Sequence, residues 1–311
     1  MQFRTELSPQ NLDFNLTHRD KIMMLGSCFT EHIASSLTRF RFPVFSNSHG
    51  IVFHPIPLAK ALSECILNRE YHIDDLIKSN ENWVSLNHHG KFSSSKSEET
   101  LERINNAIGE GSHFVKEASI LVITFGTAIG YQYLETSQIA ANCHKLHSNS
   151  FEKKRSEIAE IVNEWNNVLS HLLAVNPKIK VIFTVSPVRH LREGCEENHK
   201  SKATLLLAIE KIQKSFPGVC FYFPSYEILM DDLRDYRFYE ADMIHPNTQA
   251  IEYIREKFFA SILSPQALEL CRLMESHLRK LEHRSISETL EQKERRIVDA
   301  NEAIRHILLK S

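Results

Sequence analysis

Four short apolar runs, each bounded by polar or turn residues, occur along the chain up to residue 223. They cover residues 21–25, 119–125, 180–185 and 219–223. Runs this short and this uniformly apolar are typical of strands buried on both faces of a sheet. We therefore predict core strands at these four positions.

Between and after these runs, apolar residues recur at spacings of three and four, which places them on one face of a helix. The predicted helices cover residues 28–37, 158–172, 201–215, 226–233 and 246–263. Pro246 is taken as the start of the last helix, because proline is favoured in a first helical turn. Strands that alternate with helices of this length predict βαβ units and a mostly parallel sheet.

Two stretches depart from this alternation. Residues 53–116 carry no clear series of strands and are interpreted as an insertion or cap within a domain of residues 1–263. Residues 264–311 gain charge and lose the strand pattern, which predicts a helical extension. The apolar residues of this extension lie near heptad spacing at Leu290, Ile297, Ala300, Ile304 and Ile307. That stripe fits either packing on the same domain or a homo-oligomer formed through the C-terminal helices.

The bulk composition narrows the class of protein. A chain of 311 residues can form one large core, or a core domain with an appendage. The net charge of -2 gives no overall attraction to nucleic acid or to an anionic membrane. No apolar run approaches the roughly 18 residues that span a bilayer, and residues 1–20 lack an apolar signal core. We expect a cytoplasmic protein that binds neither nucleic acid nor membrane.

The six cysteines are scattered, with no C-x-x-C pair, which indicates reduced thiols rather than a disulfide framework or a structural zinc site. Cys143, His144 and His147 lie within five residues, yet no fourth ligand has a matching spacing. We therefore predict no metal and no cofactor.

Cys28 follows Gly26 and Ser27 at the turn between the first predicted strand and its helix. A side chain there stands above the sheet at a helix N-terminus. Free backbone N–H groups at that position favour a thiolate and lower the thiol pKa from about 8.5. On its own, the tripeptide is more typical of a structural cysteine.

Asp242 and His245 lie three residues apart on the loop before Pro246. A carboxylate at that spacing can hydrogen-bond the imidazole, fix its tautomer and stabilise the imidazolium while the histidine takes a proton from a nucleophile. The alternative is an aspartate that caps the next helix beside a surface histidine. A nucleophile near the first strand, followed by this Asp and His near the last helix, is the layout of SGNH/GDSL-like hydrolases.

Seven segments over roughly residues 20–260 closely resemble the bacterial GSCFA-domain family. They are MLGSCFTEHI (24–33), ITFGTAIGY (123–131), ANCHKLH (141–147), TVSPVRHLREG (184–194), SKATLL (201–206), YFPSYEIL (222–229) and DLRDYRFYEADMIHPN (232–247). The resemblance is specific, because many separate motifs occur in one order. It implies an α/β fold of three layers, α/β/α, with a mostly parallel SGNH-like or flavodoxin-like sheet.

The same resemblance implies roles for individual residues. Cys28 stands where the SGNH pattern has its serine nucleophile, while Asp242 and His245 match the orienting acid and the base. Gly50 matches the glycine whose N–H helps to hold an oxyanion. Ser27 is the alternative nucleophile or a cap for the following helix, because only one of two neighbours can point at His245 from a sharp turn.

The third block departs from the hydrolase pattern G-x-N-D, in which the Asn side chain completes the oxyanion hole. This chain has G-T-A-I at 126–129, with Ala128 at the Asn position. Loss of one such donor can cost about 10²–10³ in rate. Thr127, Asn142 and Arg189 are the candidates to replace it or to contact substrate.

We therefore expect a hydrolase that cleaves a small acyl ester, such as an O-acetyl group on a small molecule or carbohydrate, through an acyl-Cys28 intermediate. The same residues would serve an acyltransferase that excludes water. A non-catalytic binding protein on the same fold is the further alternative.

Overall fold

A five-stranded parallel sheet forms the centre of the fold. The computed structural model describes residues 4–8, 12, 14–282 and 289–309. The strands of the described residues are β1 (Ile22–Gly26), β2 (Val44–Ser46), β3 (Ile77–Ser79), β4 (Asn82–Val84), β5 (Ile120–Phe125), β6 (Ile129–Tyr133), β7 (Gln138–Ala140), β8 (Phe151–Arg155), β9 (Lys180–Val185) and β10 (Cys220–Phe223). The four predicted core strands are confirmed as β1, β5, β9 and β10, with boundaries within one residue of those expected.

The central sheet has the order β2-β1-β5-β9-β10, and all its neighbouring strands are parallel. Counted along the chain, this is the order 2-1-3-4-5 of doubly wound flavodoxin-like sheets. The strand order reverses between β1 and β5, and ligands bind at such a switch point beyond the carboxyl ends of the strands. The turn that carries Cys28 follows β1 directly, so it lies at this edge.

Helices cover both faces of the central sheet. The α-helices of the described residues are α1 (Cys28–Arg39), α2 (Pro55–Leu67), α3 (Ser97–Glu117), α4 (Ile158–Val175), α5 (Cys195–Ser215), α6 (Ser225–Glu227), α7 (Thr248–Ile262), α8 (Pro265–Glu282) and α9 (Leu290–Leu308). Helices α1 and α7 pack on one face, and α2, α4 and α5 pack on the other. This arrangement confirms the α/β fold with a mostly parallel sheet between helical layers.

Strand β1 shows why the predicted runs are uniformly apolar. Ile22 and Met24 belong to the core cluster of one face, while Met23 and Leu25 belong to the cluster of the other. Successive side chains of a strand point to opposite faces. Because helices cover both faces, neither set can be polar.

Three helix boundaries differ from the prediction. Helix α5 begins at Cys195 rather than residue 201, and the segment 226–233 is one helical turn followed by a π-helical Ile228–Asp232. Helix α7 begins at Thr248, after an N-cap at Asn247 whose side chain accepts the N–H of Ala250. Pro246 therefore precedes the cap instead of opening the helix, and Tyr239 pairs with it in an isolated β-bridge.

The segment 53–116 is built into the domain more deeply than a cap would be. Leu58 and Leu62 of α2 lie in the same core cluster as α4 and α5. The remainder forms the β3–β4 hairpin and α3, with a small apolar cluster of their own around Tyr71. A second, antiparallel sheet of β6, β7 and β8 follows β5 and was not predicted.

Helices α8 and α9 form the predicted C-terminal extension, and the stripe of α9 packs on the same chain. Ala300 and Ile304 are buried, and Ile304 joins the core cluster that contains Leu270 and Met274 of α8. Leu290 at the start of the stripe is exposed. Among the described helices, none is both long enough and apolar enough to cross a membrane.

We expect Ile304→Ala to lower the unfolding free energy by about 2–5 kcal/mol, because it leaves a cavity between α9 and α8. Val298→Ala on the same helix is the matched control, since Val298 is 53% exposed and its truncation should cost less than about 0.5 kcal/mol. Urea denaturation measures both. Equal losses in the two variants would show that α9 is not packed on the domain.

Candidate active site

The turn after β1 depends on Gly26. This residue has φ +150, and a Cβ built on it would lie 2.6 Å from the carbonyl oxygen of Thr124 and 2.7 Å from Thr30 Oγ1. Only glycine lets β1 end this close to β5. Cys28 then opens α1, with its side chain half-buried at the helix N-terminus.

Ser27 points into the protein. It is fully buried, and its Oγ has no hydrogen-bond partner among the described residues. It occupies the N-cap position of α1, but its side chain makes no capping bond, so the predicted capping role is wrong. Of the two neighbours, only Cys28 is open to solvent.

Burial raises the pKa of the Cys28 thiol above its ordinary value. The N–H of Phe29, the N–H of Cys28 itself and the charge of Lys202 act in the opposite direction, but their effect is smaller. Glu31 adds to the increase. The predicted lowering of the thiol pKa by the helix N-terminus is therefore wrong: desolvation outweighs it.

Asp242 and His245 form the predicted pair. His245 Nδ1 donates to Asp242 Oδ2 at 2.7 Å, and the two side chains are 48% and 45% exposed. The N–H groups of His245 and Ile244 both donate to Asp242 Oδ1, and together with the His245 ring they lower the pKa of Asp242 to about 2. The carboxylate thus holds the loop and the ring at once.

Arg189 holds this loop from the side. Its backbone N–H donates to Ile244 O at 3.1 Å, and its guanidinium donates to Met243 O at 3.2 Å. Met243 has φ +58, a conformation that a non-glycine residue rarely adopts without support. The guanidinium also lies over the rings of Tyr239 and Tyr236. Arg189, predicted to replace the oxyanion Asn or to contact substrate, therefore positions the Asp242–His245 loop.

The predicted nucleophile and the predicted base are not hydrogen-bonded to each other. In the part of the chain that the structure describes, no hydrogen bond joins Cys28 Sγ to the His245 ring, and the main influences on the Cys28 pKa do not include His245. The Asp–His half of the predicted triad is formed, and the link to Cys28 is open.

The backbone N–H of Gly50 already has an acceptor. Its N–H donates to Asn47 O at 2.8 Å, and with φ +77 it lies directly under His89. A donor already bound within its own turn is not free to hold an oxyanion. Asn47 itself ties the turn to β1, because its Oδ1 accepts the N–H of Gly26.

The third block is also fully engaged. Gly126 and Thr127 both donate their N–H groups to Phe53 O, and Ala128 donates its N–H to Ser201 Oγ at 2.7 Å. The Ala128 side chain is buried in the core, and the Thr127 hydroxyl pairs with Ser201 Oγ at 3.0 Å. The Thr127 hydroxyl, a predicted replacement for the lost Asn, is therefore hydrogen-bonded to Ser201.

A cavity of about 340 Å³ lies beside this block. Thr127 and Asn142 line it, together with Phe53, Tyr131 and His190. Asn142 uses its Oδ1 to accept the N–H of His144. Cys28, Arg189 and His245 are not among the described residues of the lining.

Lys202, which the sequence analysis did not single out, and His190 connect the parts of the site. Lys202 is fully buried, and its Nζ donates to Gly126 O and to Ser186 O, each at 2.7 Å. The charge of Lys202 lowers the pKa of Cys28 and of His190, and the charge of His245 also lowers the pKa of His190. Burial lowers the pKa of Lys202 to about 7.

The spacing of Lys202 contains a signal that could have identified it. Lys202 lies three residues before Leu205, seven before Ile209 and ten before Ile212, all of them buried. A lysine on the apolar stripe of an amphipathic helix must reach acceptors inside the fold. The signal for His190 is its position shortly after the carboxyl end of a predicted strand, where α/β sheets bind ligands.

His49, Glu64 and His88 are the described residues whose side chains come closest to a metal site, with ligand atoms within 4.8 Å of one another. The two rings are stacked, with centroids 4.3 Å apart and planes 12° apart. Each ring's lone pair lies in its own plane, so near-parallel rings cannot both point at one ion. His49 Nε2 instead donates to Glu64 at 2.7 Å. His144 is likewise occupied, with Nε2 donating to Ser85 O.

The fold and the site together define a class: a doubly wound α/β protein with a cysteine after its first strand and an Asp–His pair on the loop before α7. Within that class, the GSCFA family model matches residues 21–258, and the chain belongs to the GSCFA family. This match confirms the resemblance seen in the sequence. A search of curated proteins finds no match.

Solved structures similar to this chain include two esterases. A carbohydrate esterase family 3 from Talaromyces cellulolyticus is 10% identical, with 81% of this chain and 98% of that chain covered and a TM-score of 0.38. An acetyl xylan esterase from the rumen bacterium Butyrivibrio proteoclasticus is 9% identical, with 78% of this chain and 63% of that chain covered and a TM-score of 0.41.

The lowered pKa of Lys202 predicts a pH dependence of stability. Between about pH 7 and the ordinary lysine value of 10.5, the unfolded chain holds a proton that the folded chain lacks, so the unfolding free energy rises with pH. From about pH 7 to about pH 8.5, the unfolding free energy of the wild type should rise by up to roughly 1.4 kcal/mol per pH unit. Lys202→Met should lack this rise.

Urea denaturation at several pH values measures that slope. Lys200→Met on the same helix is the control, because Lys200 is 47% exposed and paired with Glu196 and Glu197. The same slope in wild type and Lys202→Met would contradict the lowered pKa.

Proposed function

We propose that this protein is a hydrolase of the SGNH type that cleaves a small acyl ester. Cys28 attacks the carbonyl carbon, His245 is the base and then the acid, and Asp242 orients the imidazole. The observation that carries the proposal is the 2.7 Å hydrogen bond from His245 Nδ1 to Asp242 Oδ2, which leaves Nε2 as the proton acceptor.

Two contacts support the placement of this pair near the nucleophile. Arg189, four residues beyond the end of β9, binds the loop at Met243 and Ile244. The charges of His245 and Lys202 both lower the pKa of His190. The charge of Lys202 also lowers the pKa of Cys28. The pair therefore belongs to the carboxyl edge of the sheet, where doubly wound folds bind ligands.

Cys28 rather than Ser27 is the proposed nucleophile. Cys28 is half-buried at the start of α1, whereas Ser27 is fully buried with its hydroxyl turned inward. Because burial raises the pKa of Cys28, the resting group is the thiol, and a base must take its proton during attack. Catalytic hydrogen bonds are often long without substrate and shorten in the complex, so the open link to His245 is compatible with this step.

The reaction then proceeds in two halves. The sulfur adds to the carbonyl carbon as His245 takes the thiol proton, and the same proton passes to the leaving alcohol as the C–O bond breaks. Water, deprotonated by His245, next attacks the thioester and releases the acid and the free thiol. The proposed substrate is an O-acetyl-like ester of a small molecule or carbohydrate, by analogy with SGNH-type hydrolases alone.

A non-catalytic binding protein is the second candidate, and the open Cys28–His245 link is the observation that favours it. Turnover of an aryl acetate separates the two. A binding protein would release no aryl alcohol above the rate in buffer. An esterase would release it, and Cys28→Ala should abolish that release.

The nucleophile is tested by acylation. We expect mass spectrometry to find the acetyl group from an aryl acetate on Cys28, because it is the exposed member of the turn. Cys28→Ala should abolish acylation and turnover, whereas the control Ser27→Ala should keep both. An acetyl group on Ser27, or turnover that survives in Cys28→Ala, would reject the assignment.

The base is tested by His245→Ala, which should cut turnover by about 10²–10⁴. Asp242→Asn should also cut it, because an amide can orient the ring but cannot stabilise the imidazolium. The losses should not add in the double variant, since the two residues act as one unit. His113→Ala is the control, because that histidine is 76% exposed on α3.

The same variants test the resting state of the thiol. Alkylation of Cys28 by iodoacetamide should rise only above the ordinary thiol range of pH, because burial opposes the thiolate. The pH curve should be the same in His245→Ala. A wild-type curve below the ordinary range that moves upward in His245→Ala would instead show a resting thiolate–imidazolium pair.

A further inference from the structure

His190 has a ring nitrogen that the site as described leaves unused. Its Nε2 is buried and has no hydrogen-bond partner among the described residues. The residue lines the cavity of about 340 Å³ beside the third block. Buried polar atoms are nearly always satisfied, so an unsatisfied one on a residue that lines a cavity points to a partner that the described residues do not supply.

The ring is held in a defined position. Its backbone N–H donates to Asn198 Oδ1 at 2.9 Å, and its edge meets the face of Phe53 with centroids 5.5 Å apart and planes 72° apart. A Cβ on Gly126 would lie 3.2 Å from Nε2. The glycine of the third block therefore provides the space that this imidazole occupies.

The imidazole is neutral at ordinary pH. Burial, then the charges of Lys202 and His245, lower its pKa to about 3. A neutral imidazole carries one N–H, and with the hydrogen on Nε2 it is a donor without a net charge. Such a donor can stabilise charge that develops on a substrate without itself taking part in proton transfer.

We propose that His190 Nε2–H is the side-chain donor of the oxyanion hole, in the role that Asn has in the third block of SGNH hydrolases. This inference rests on the proposed acyl-ester chemistry at Cys28. When the sulfur adds to the carbonyl carbon, the π electron pair moves onto the carbonyl oxygen, and His190 hydrogen-bonds that oxygen. The pair returns when the C–O bond to the alcohol breaks, and His190 keeps its proton throughout.

The other candidate donors are occupied or turned away. Gly50 N–H is bound to Asn47, and the Thr127 hydroxyl is paired with Ser201. The Arg189 guanidinium binds Met243 O, and Arg189 is not among the described residues that line the cavity. Ala128 has no donor and is buried in the core. Asn142 lines the same cavity as His190 and is the matched alternative for the test.

The test compares two reactions of the same thiol in wild type, His190→Ala, His190→Gln and Asn142→Ala. Acylation of Cys28 by an aryl acetate passes through an oxyanion, whereas alkylation by iodoacetamide does not. In His190→Ala, we expect acylation to slow by about 10²–10³ while alkylation is unchanged. His190→Gln should recover part of the loss, because its amide restores an N–H donor, and Asn142→Ala should slow acylation less than His190→Ala does.

Each contrary outcome is distinct. Equal acylation in wild type and His190→Ala would overturn the role of His190 while leaving the acyl-ester function in place. So would a loss in Asn142→Ala alone, or an equal fall of acylation and alkylation in both His190 variants, which would mark a structural role. Absence of acylation at Cys28 in wild type would overturn the proposed function, and this inference with it.

Discussion

The geometry at the carboxyl edge of the sheet depends on two hydrogen bonds from the buried amino group of Lys202. This amino group binds Gly126 O after β5 and Ser186 O after β9, each at 2.7 Å, and so connects two neighbouring strand ends. The third block starts at Gly126, and the loop to Arg189 and His190 starts at Ser186. A neutral lysine still has two N–H groups for two carbonyls, so the contact survives a pKa of about 7.

Burial divides this site into two electrostatic parts. Desolvation favours the neutral forms of Cys28, His190 and Lys202, which lie inside the edge of the sheet. Asp242, in contrast, is 45% exposed and holds its negative charge through three N–H donors on its own loop. Proton transfer in the proposed reaction therefore starts between a neutral buried thiol and an exposed, carboxylate-paired imidazole.

The strands predicted from sequence are those with apolar side chains packed on both faces, including β10, whose two middle residues are only partly buried. Strands β1, β5, β9 and β10 were found because both of their faces are covered, which leaves an uninterrupted apolar run. The edge strand β2 and the antiparallel β6, β7 and β8 are partly exposed, so their polar positions hide the pattern. Helix α2 was assigned to an insertion because no local feature shows which surface of the domain its apolar face meets.

The α/β fold, the Cys28 turn and the Asp242–His245 pair were predictable from sequence, because each follows from spacing within a few residues. Which donors are free depends instead on tertiary contacts. Gly50, Thr127 and Arg189 look available in the sequence, yet Asn47, Ser201 and Met243 engage them. Likewise, no residue near His190 in the sequence indicates that its Nε2 is buried without a hydrogen-bond partner among the described residues. Hydrogen-bond satisfaction and desolvation depend on neighbours distant along the chain, and packing alone brings those neighbours together.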